Sequence, residues 1–375
     1  MRLLIQPADR AAPLLAAIKS AKKSIEIAIF RFDRLDVELA LRAAAEKGVR
    51  VTALIAFANR GGEKSLRKLE SRLLEAGIIV ARTADDLVKY HGKYLIIDRR
   101  VLHLLSFNLT RLDIEHSRAF GIVTTRSLAV KEAVRLFRAD CTRTKYTPKV
   151  ETFVVSPANS RRVLGAFLKR ATKQLLIYDP KISDKEMLKI LEDRSKAGVE
   201  IRVVGQVTGR VSYDVKKLQR LRLHTRSIIR DGRHAFVGSQ SLRTAELDSR
   251  REVGLIVQDA KAVKKLMDTF EADWVGTTAT RAAATADVPA GKAATSAALT
   301  KEVTKAVGVF TRELAPLANT VKKAVRHAVN KAGEDVLRDK DVKDTMKKVV
   351  KQAVKEAVKS AVSEAKASLS PRDAT

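Results

Sequence analysis

Apolar residues between 1 and 276 gather in short Ile/Val/Leu runs separated by helix-spaced stretches, and the arrangement occurs twice. Leu14–Lys22 and Arg161–Thr172 have helical spacing. They lead into Ile25–Phe30 and Leu175–Tyr178, continuous apolar runs that predict buried strands. A second helix follows each run. It ends at Gly48 or Gly198, where glycine suits the left-handed residue just past a helix. Further strands are predicted over Val49–Ala56, Tyr94–Asp98, Val101–Leu105 and Gly121–Thr124. Their counterparts are Val199–Val204, Ser227–Arg230, Ala235–Gly238 and Gly254–Val257. A last helix closes each half. Asp184 is placed to cap one helix, and Ser156-Pro157 to open another with proline at its first position. Strands alternating with helices predict an α/β architecture whose sheets are covered on both faces.

The two halves are a repeat. Residues 21–27 and 46–51 align with 171–177 and 196–201 at a shift of 150, with Gly48 on Gly198. Later the shift is 133: His91, Lys93, Asp98, Ser106, Arg118 and Gly121 fall on His224, Arg226, Asp231, Ser239, Arg251 and Gly254. The first half therefore carries 17 extra residues, placed within 60–90 and read as an inserted helix and short strand. The division that follows is a first lobe over 1–150, a second over 151–276, a flexible linker over 277–300 and a basic tail over 301–375. Val321, Val325 and Val329, then Val350, Val354, Val358 and Val362, recur every fourth residue and predict helix in the tail. Its stripe is Ala/Val-rich and Leu-poor, which suits a long solvated or self-associating helix better than a membrane-surface one. Such a helix can also engage an anionic polymer.

Composition narrows the partner class. The chain carries 73 Lys+Arg against 43 Asp+Glu, a net +30. Of this, +22 lies on residues 1–276, so the excess belongs to the body as well as the tail. Such a body draws phosphate-bearing partners, nucleic acid or anionic lipid. One cysteine, Cys141, excludes a disulfide framework and a cysteine-based zinc site. No apolar run approaches a membrane span, and no secretory h-region is seen. The expected setting is cytoplasmic, with the inner membrane face within reach.

The chemistry lies in a pattern present twice, His-x-(Lys/Arg)-x4-Asp. In extended chain, residues two apart share a face, so His91 and Lys93 point together, as do His224 and Arg226. An imidazole beside a fixed cation suits phosphate: the cation holds oxygens and the imidazole works on phosphorus. Two such faces brought together allow one histidine to attack while the other protonates the leaving oxygen, with no metal or other cofactor required. His103 reads as a packed strand histidine, His116 and His234 as surface residues, and His327 as solvated on the tail. Cys141 reads as inert, and neither a phosphate-binding glycine loop nor a metal-ligand spacing is present.

HGKYLIID (91–98) and HTRSIIRD (224–231) resemble the two HKD motifs of the phospholipase D superfamily. SFNLT (106–110) and GSQSL (238–242) resemble the Gly-Ser-x-Asn element that follows each. The resemblance covers about residues 10–275. It implies two α/β lobes related by a pseudo-two-fold axis, each a mixed sheet flanked by helices, with one active site at their interface. It further implies a phosphodiesterase or phosphatidyltransferase acting on phospholipid through a phosphohistidine. The alternatives are a nuclease on DNA and a degenerate, non-catalytic binder of anionic lipid or nucleic acid. A chain with both motifs completes its site as a monomer. The implied catalytic residues are His91, Lys93, His224 and Arg226. Asp98, Ser106, Asn108, Asp231, Ser239, Ser241 and Glu252 support them, and Asp98 and Asp231 read as structural.

Three positions depart from the pattern. Arg226 replaces a lysine, and Ser241 an asparagine. The carboxylate expected 28 residues after each histidine is Glu252 in the second half but Ala119 in the first, with Glu115 four residues before it. Taken half by half, His224 keeps its orienting carboxylate Glu252 and lacks lysine, while His91 keeps lysine and lacks the carboxylate. A lipid-directed site also calls for an apolar rim, expected at Phe107 and in the 60–90 insertion.

Overall fold

The computed structural model describes residues 1–57 and 63–279. The expected tail helix, and the expected linker beyond Ala279, lie outside the described residues.

The first half runs β1 (Arg2–Gln6), α1 (Ala12–Ser20), β2 (Ser24–Ile29), α2 (Leu35–Glu46), β3 (Arg50–Ile55), α3 (Glu63–Glu75), β4 (Ile79–Arg82), β5 (Lys89–Tyr90), β6 (Tyr94–Ile97), β7 (Val101–Leu105), α4 (Arg111–Glu115), β8 (Ser117–Thr124) and α5 (Ser127–Thr142). The second runs β9 (Phe153–Val155), α6 (Ser160–Lys169), β10 (Gln174–Ile182), α7 (Lys185–Lys196), β11 (Glu200–Val207), β12 (Asp214–Leu218), β13 (Arg222–Leu223), β14 (Arg226–Arg230), β15 (His234–Gly238), α8 (Thr244–Asp248), β16 (Arg250–Arg251), β17 (Val253–Val257), α9 (Ala260–Val275) and β18 (Thr277–Ala279).

Each half builds a mixed sheet, and the strand orders correspond. The first is β1-β8-β7-β6-β2-β3-β4; the second is β9-β17-β15-β14-β10-β11-β12, extended by β18. In both, the first helix-linked strands pair in parallel and the motif strand joins them antiparallel: β2 with β3 and β6, β10 with β11 and β14. The insertion forms α3 and β4. α3 seats Leu66, Leu69 and Leu73 in the first core, and β4 extends the sheet beside β3. β18 carries the second sheet three residues into the segment expected as linker.

Glycine ends α2 and α7 in the same way. Gly48 and Gly198 both have φ +83°. Each helix closes with the paired backbone bonds of a left-handed cap, Gly48 N to Ala45 O and Val49 N to Ala44 O in the first half. Asp184 caps α7 by accepting from Met187 N. Ser156-Pro157 does not open a helix: α6 begins at Ser160 behind Asn159, and the proline lies in the preceding turn. The Asn159 side chain bonds Val155 N and Phe153 O there, which ties the turn to β9 rather than to the helix.

One face of each sheet is covered by that half's own helices, around Leu14, Leu41 and Leu73 in the first and Leu164, Leu168 and Leu191 in the second. A third core draws on both halves, packing Tyr94, Phe120 and Phe137 with Phe153, Tyr178 and Phe270. The Phe120 and Tyr178 rings meet edge to face at 5.3 Å. This shared core packs the two lobes together and helps fix the two motif strands relative to each other.

Candidate active site

The site begins where each lobe lends a strand to the other. β5, just before His91, pairs in parallel with β16 of the second lobe, Lys89 opposite Arg250 and Tyr90 opposite Arg251. β13, just before His224, pairs in parallel with the start of β8, Arg222 opposite Ser117 and Leu223 opposite Arg118. The exchange continues into the motifs: His91 N donates to Arg251 O at 2.7 Å, and His224 N to Arg118 O at 3.1 Å. His91 and Lys93 therefore sit in the break between β5 and β6, not within one strand as expected; His224 occupies the matching break before β14.

Two arginine clamps hold the crossing. The Arg251 guanidinium donates to Asp140 of α5 (3.1 Å) and to Ser156 O (3.2 Å). Arg118 donates to Asp273 of α9 (2.7 and 2.8 Å) and to Gln6 O (3.1 Å). Each clamp fixes the residue whose carbonyl anchors the other lobe's histidine.

This register decides the carboxylate. The residue after Arg251 is Glu252, which is fully buried and meets His91, not His224. His91 Nδ1 lies 2.9 and 2.8 Å from the two Glu252 oxygens. The residue after Arg118 is Ala119, a buried core residue, so the position that corresponds to Glu252 offers His224 no carboxylate. The sequence-based pairing of Glu252 with His224 is thus corrected. His91 has both the lysine and the carboxylate, and the losses fall together around His224. The nearest carboxylate there is Asp113, with Oδ2 3.4 Å from His224 Nδ1. Asp113 is already engaged: Oδ2 accepts from Asn108 N and Nδ2 (2.8 and 2.7 Å), and Oδ1 pairs with Arg222. Glu115 faces Arg34 and Arg111 instead.

The two cations close the site. Lys93 Nζ donates to His91 O (2.6 Å) and lies 5.4 Å from the Phe30 ring centre. Phe30 also meets the His91 ring edge to face at 4.5 Å, restricting its tilt. Arg226 donates to His224 O (2.8 Å) and Ser241 Oγ (3.2 Å). Burial holds the pKa of both histidines well below the ordinary value, with Lys93 and Arg226 adding to the effect. Burial also lowers Lys93 to about 7, opposed by Glu252 and assisted by Arg226. Glu252 is pushed upward by burial, against the pull of Lys93 and Arg226. The two cations are balanced in part by buried carboxylates, with Glu246 3.8 Å from Arg226 and Glu252 and Asp113 on the histidines. A diester's negative charge would add to the field that favours their charged forms.

The satellite residues brace this frame. Ser106 Oγ accepts from Phe120 N (2.9 Å) and donates to Thr225 (3.3 Å). Ser239 Oγ accepts from Val253 N (3.1 Å), next to Glu252. β15 and β17 meet there at Gly238 and Gly254, where an added Cβ on Gly254 would lie 2.3 Å from the Phe236 ring. Asn108 and Ser241 are held alike, each backbone N–H donating 2.8 Å to a carboxylate, Asp113 or Glu246. Asp113 and Glu246 match at the 133 shift, so a repeated acid in the sequence is the signal that marks this pair. Asp98 (φ +52°) and Asp231 (φ +53°) stand apart from the histidines. Each accepts from three successive backbone N–H groups, 22–24 or 172–174, locking the motif strand to the turn before β2 or β10.

Phe107 is fully buried and forms no rim. His103 is buried in β7, with its pKa lowered to about 4 by burial. Burial pushes the Cys141 thiol up to about 12. Among the described residues, no cluster of histidine, cysteine and carboxylate could hold a metal ion, and no helix is long and apolar enough to cross a membrane.

Comparison with known proteins bears on this geometry. A family model described as "Cardiolipin synthase, PLD-like domain" matches residues 14–141 and again 164–274. The mitochondrial cardiolipin hydrolase of Canis lupus familiaris is 31% identical over 144 residues, 36% of this chain and 52% of that protein. The chain thus spans about half the length of the curated relative it matches. Among solved structures, phosphatidylserine synthase of Haemophilus influenzae superposes with a TM-score of 0.57 at 10% identity, over 74% of this chain and 87% of that one. Polyphosphate kinase of Porphyromonas gingivalis gives 0.62 at 20% identity, over 72% of this chain and 46% of that one. At such identities the structural likeness concerns the fold alone.

Proposed function

The chain belongs to the cardiolipin synthase, phospholipase D-like family, and from that premise we propose that it cleaves or transfers a phospholipid phosphodiester through a phosphohistidine on His91. The contact between His91 Nδ1 and Glu252, 2.8 Å across the lobe boundary, carries this reading. A carboxylate accepting the Nδ1 proton leaves the lone pair on Nε2 and fixes the ring's aim, as a nucleophile requires.

Both steps balance with protein groups and the incoming water or alcohol. Lys93 and Arg226 hold the non-bridging oxygens. His91 Nε2 attacks phosphorus, the bond to the leaving oxygen breaks, and protonated His224 gives that oxygen its proton. Glu252 stabilises the positive charge on His91. In the second step neutral His224 takes a proton from water or an alcohol. The freed oxygen attacks phosphorus, and the P–N bond breaks to restore His91. His224 must be protonated for the first step, although burial lowers its pKa. The diester's own negative charge reverses that shift on binding.

Exposed apolar residues beside the site support a lipid. Val88, three residues before His91, is 65% exposed, and Leu112, next to Asp113, is 52% exposed. The competing reading, a nuclease, draws on arginine. Burial lowers the Arg222 pKa, opposed by its partner Asp113 and assisted by nearby Arg226 and Arg31; Arg243 and Arg250 flank Glu246 on the other side.

The test is turnover of bis(p-nitrophenyl) phosphate in EDTA, then of cardiolipin-containing vesicles against single-stranded DNA. Turnover of vesicles, lost in His91→Ala, supports the proposal. Turnover of DNA alone moves the assignment to nuclease. Binding without turnover on any substrate leaves a degenerate binder and overturns the enzymatic reading.

A further inference from the structure

A groove of about 430 Å³ opens on the second lobe, at the opposite end of β14 from His224. Phe167, Val163 and Ile256 line its apolar side; Arg170, Arg230, His234 and the ion-paired Arg162 and Glu151 line its polar side.

Arg230 is the unusual member. Its residue is 9% exposed. Nη1 donates to Phe167 O at 3.1 Å, and the guanidinium lies 4.5 Å over the Phe167 ring. Nε has no hydrogen-bond partner among the described residues, and neither has His234 Nδ1. Asp231 Oδ2 lies 4.0 Å from Nε, and the groove's other carboxylate, Glu151, is paired with Arg162. Both Asp231 oxygens already accept backbone N–H groups of residues 172–174. Burial lowers the Arg230 pKa, and Arg170 lowers it further, opposed by Asp231. Closing the end of α6 accounts for one of the guanidinium's hydrogen bonds and leaves the others unexplained. A buried guanidinium is costly unless its charge and donors are met.

The first lobe shows that the fold does not demand this. At the 133 shift, Arg230 and His234 correspond to Ile97 and Val101. There the same strand ends are apolar. The second lobe has replaced two apolar residues with a cation and an imidazole, and has left a groove in front of them.

We propose that this groove is a second anion site, separate from the paired histidines, for a small organic phosphate monoester. Its phosphoryl oxygens meet Arg230 and Arg170, with His234 beside them, and its carbon body rests on Phe167 and Ile256. Phosphate matches the fork of a guanidinium, which can give it two parallel hydrogen bonds. A volume of about 430 Å³ is far more than an inorganic phosphate fills, so the site accommodates the organic part as well.

The test follows the ring signals of His234 and His91 by NMR in the full chain, titrated with inorganic phosphate and with glycerol 3-phosphate. His234→Gln assigns the first signal and His91→Gln the second. The His234 signal should shift saturably with both anions, at lower concentration for glycerol 3-phosphate. Arg230→Met should weaken that response by about tenfold or more, the effect of losing a charge-assisted hydrogen bond. Arg170→Gln, at an exposed position that does not threaten folding, should weaken it similarly. The His91 response should stay as in the unmodified protein. No saturable shift at His234, or a shift unchanged in Arg170→Gln, overturns the site. Equal affinity for the two anions overturns the apolar half of the assignment. Neither result depends on whether His91 is a nucleophile.

Discussion

The two histidines occupy matching motifs, yet their surroundings differ. His91 has a lysine two residues on, an aromatic ring against its edge and a buried carboxylate on Nδ1. His224 has an arginine, Ala119 at the position that corresponds to Glu252, and Asp113 at 3.4 Å, already engaged by Asn108 and Arg222. Because β5 and β13 cross between lobes, each histidine takes its orienting residue from the other half. Defects in such a repeat cannot be assigned half by half. Ala119 lies in the first half and impairs the surroundings of the second half's histidine. The site combines one well-equipped imidazole with one less constrained imidazole near enough to feel its charge, which suits a nucleophile and its proton partner.

The sharpest test of that inequality is deletion of each ring. His91→Ala should lower turnover of bis(p-nitrophenyl) phosphate by about 10⁴-fold or more, the scale for removal of a nucleophile. His224→Ala should lose about 10²–10⁴-fold with an alkyl leaving group, the range for a general acid, but far less in the first step with nitrophenolate, which leaves without a proton. Equal losses on both substrates would make the two histidines equivalent. Stopped-flow bursts of nitrophenolate separate the two steps.

Next in size are the carboxylates. Glu252→Gln should cost about 10²–10⁴-fold in kcat, as expected when an imidazole loses the group that sets its tautomer. Asp113→Asn should cost less, because its contact with His224 is longer and shared. Steady-state kcat of the two variants, beside their thermal midpoints, checks this order. A larger loss in Asp113→Asn would reverse the assignment of roles.

The smallest expected effect concerns the cations. Lys93 is lowered to about 7, chiefly by burial. Its charged form predominates below that pH and binds an anionic diester better. Affinity for a non-hydrolysable diester should therefore be full below pH 7 and fall as pH rises through it, by up to about tenfold per unit. Lys93→Arg should flatten that dependence, because an arginine side chain keeps its charge across this range. Calorimetric titration across this range distinguishes the two.

Much of the fold was legible. The Ile25–Phe30 and Leu175–Tyr178 runs, the glycine ends at Gly48 and Gly198 and the 17-residue excess each mark local structure, and local structure is what periodicity reports. The motif residues were legible for the same reason. What was hidden depends on pairing between distant segments. Two-residue strands such as β5 and β13 carry no period, so nothing in the chain foretold that Arg251 would anchor His91 or that Glu252 would turn toward it. Ser156-Pro157 misled because proline suits a helix start and a turn before one equally well, and the Asn159 bonds to β9 decided between them. Phe107 reads as a rim residue beside Asn108, but the first core takes it in.

The most direct measurement is the site of phosphorylation. His224→Ala, mixed with bis(p-nitrophenyl) phosphate and quenched in alkali, should accumulate the covalent intermediate. The good leaving group makes the acid dispensable in the first step, and the missing base stalls the second. Peptide mapping by mass spectrometry should find the nitrophenyl phosphate on His91. With His224 intact and His91→Ala, no adduct should form. An adduct on His224 in the His91→Ala protein, or none on His91 in the first experiment despite release of nitrophenolate, would contradict the account.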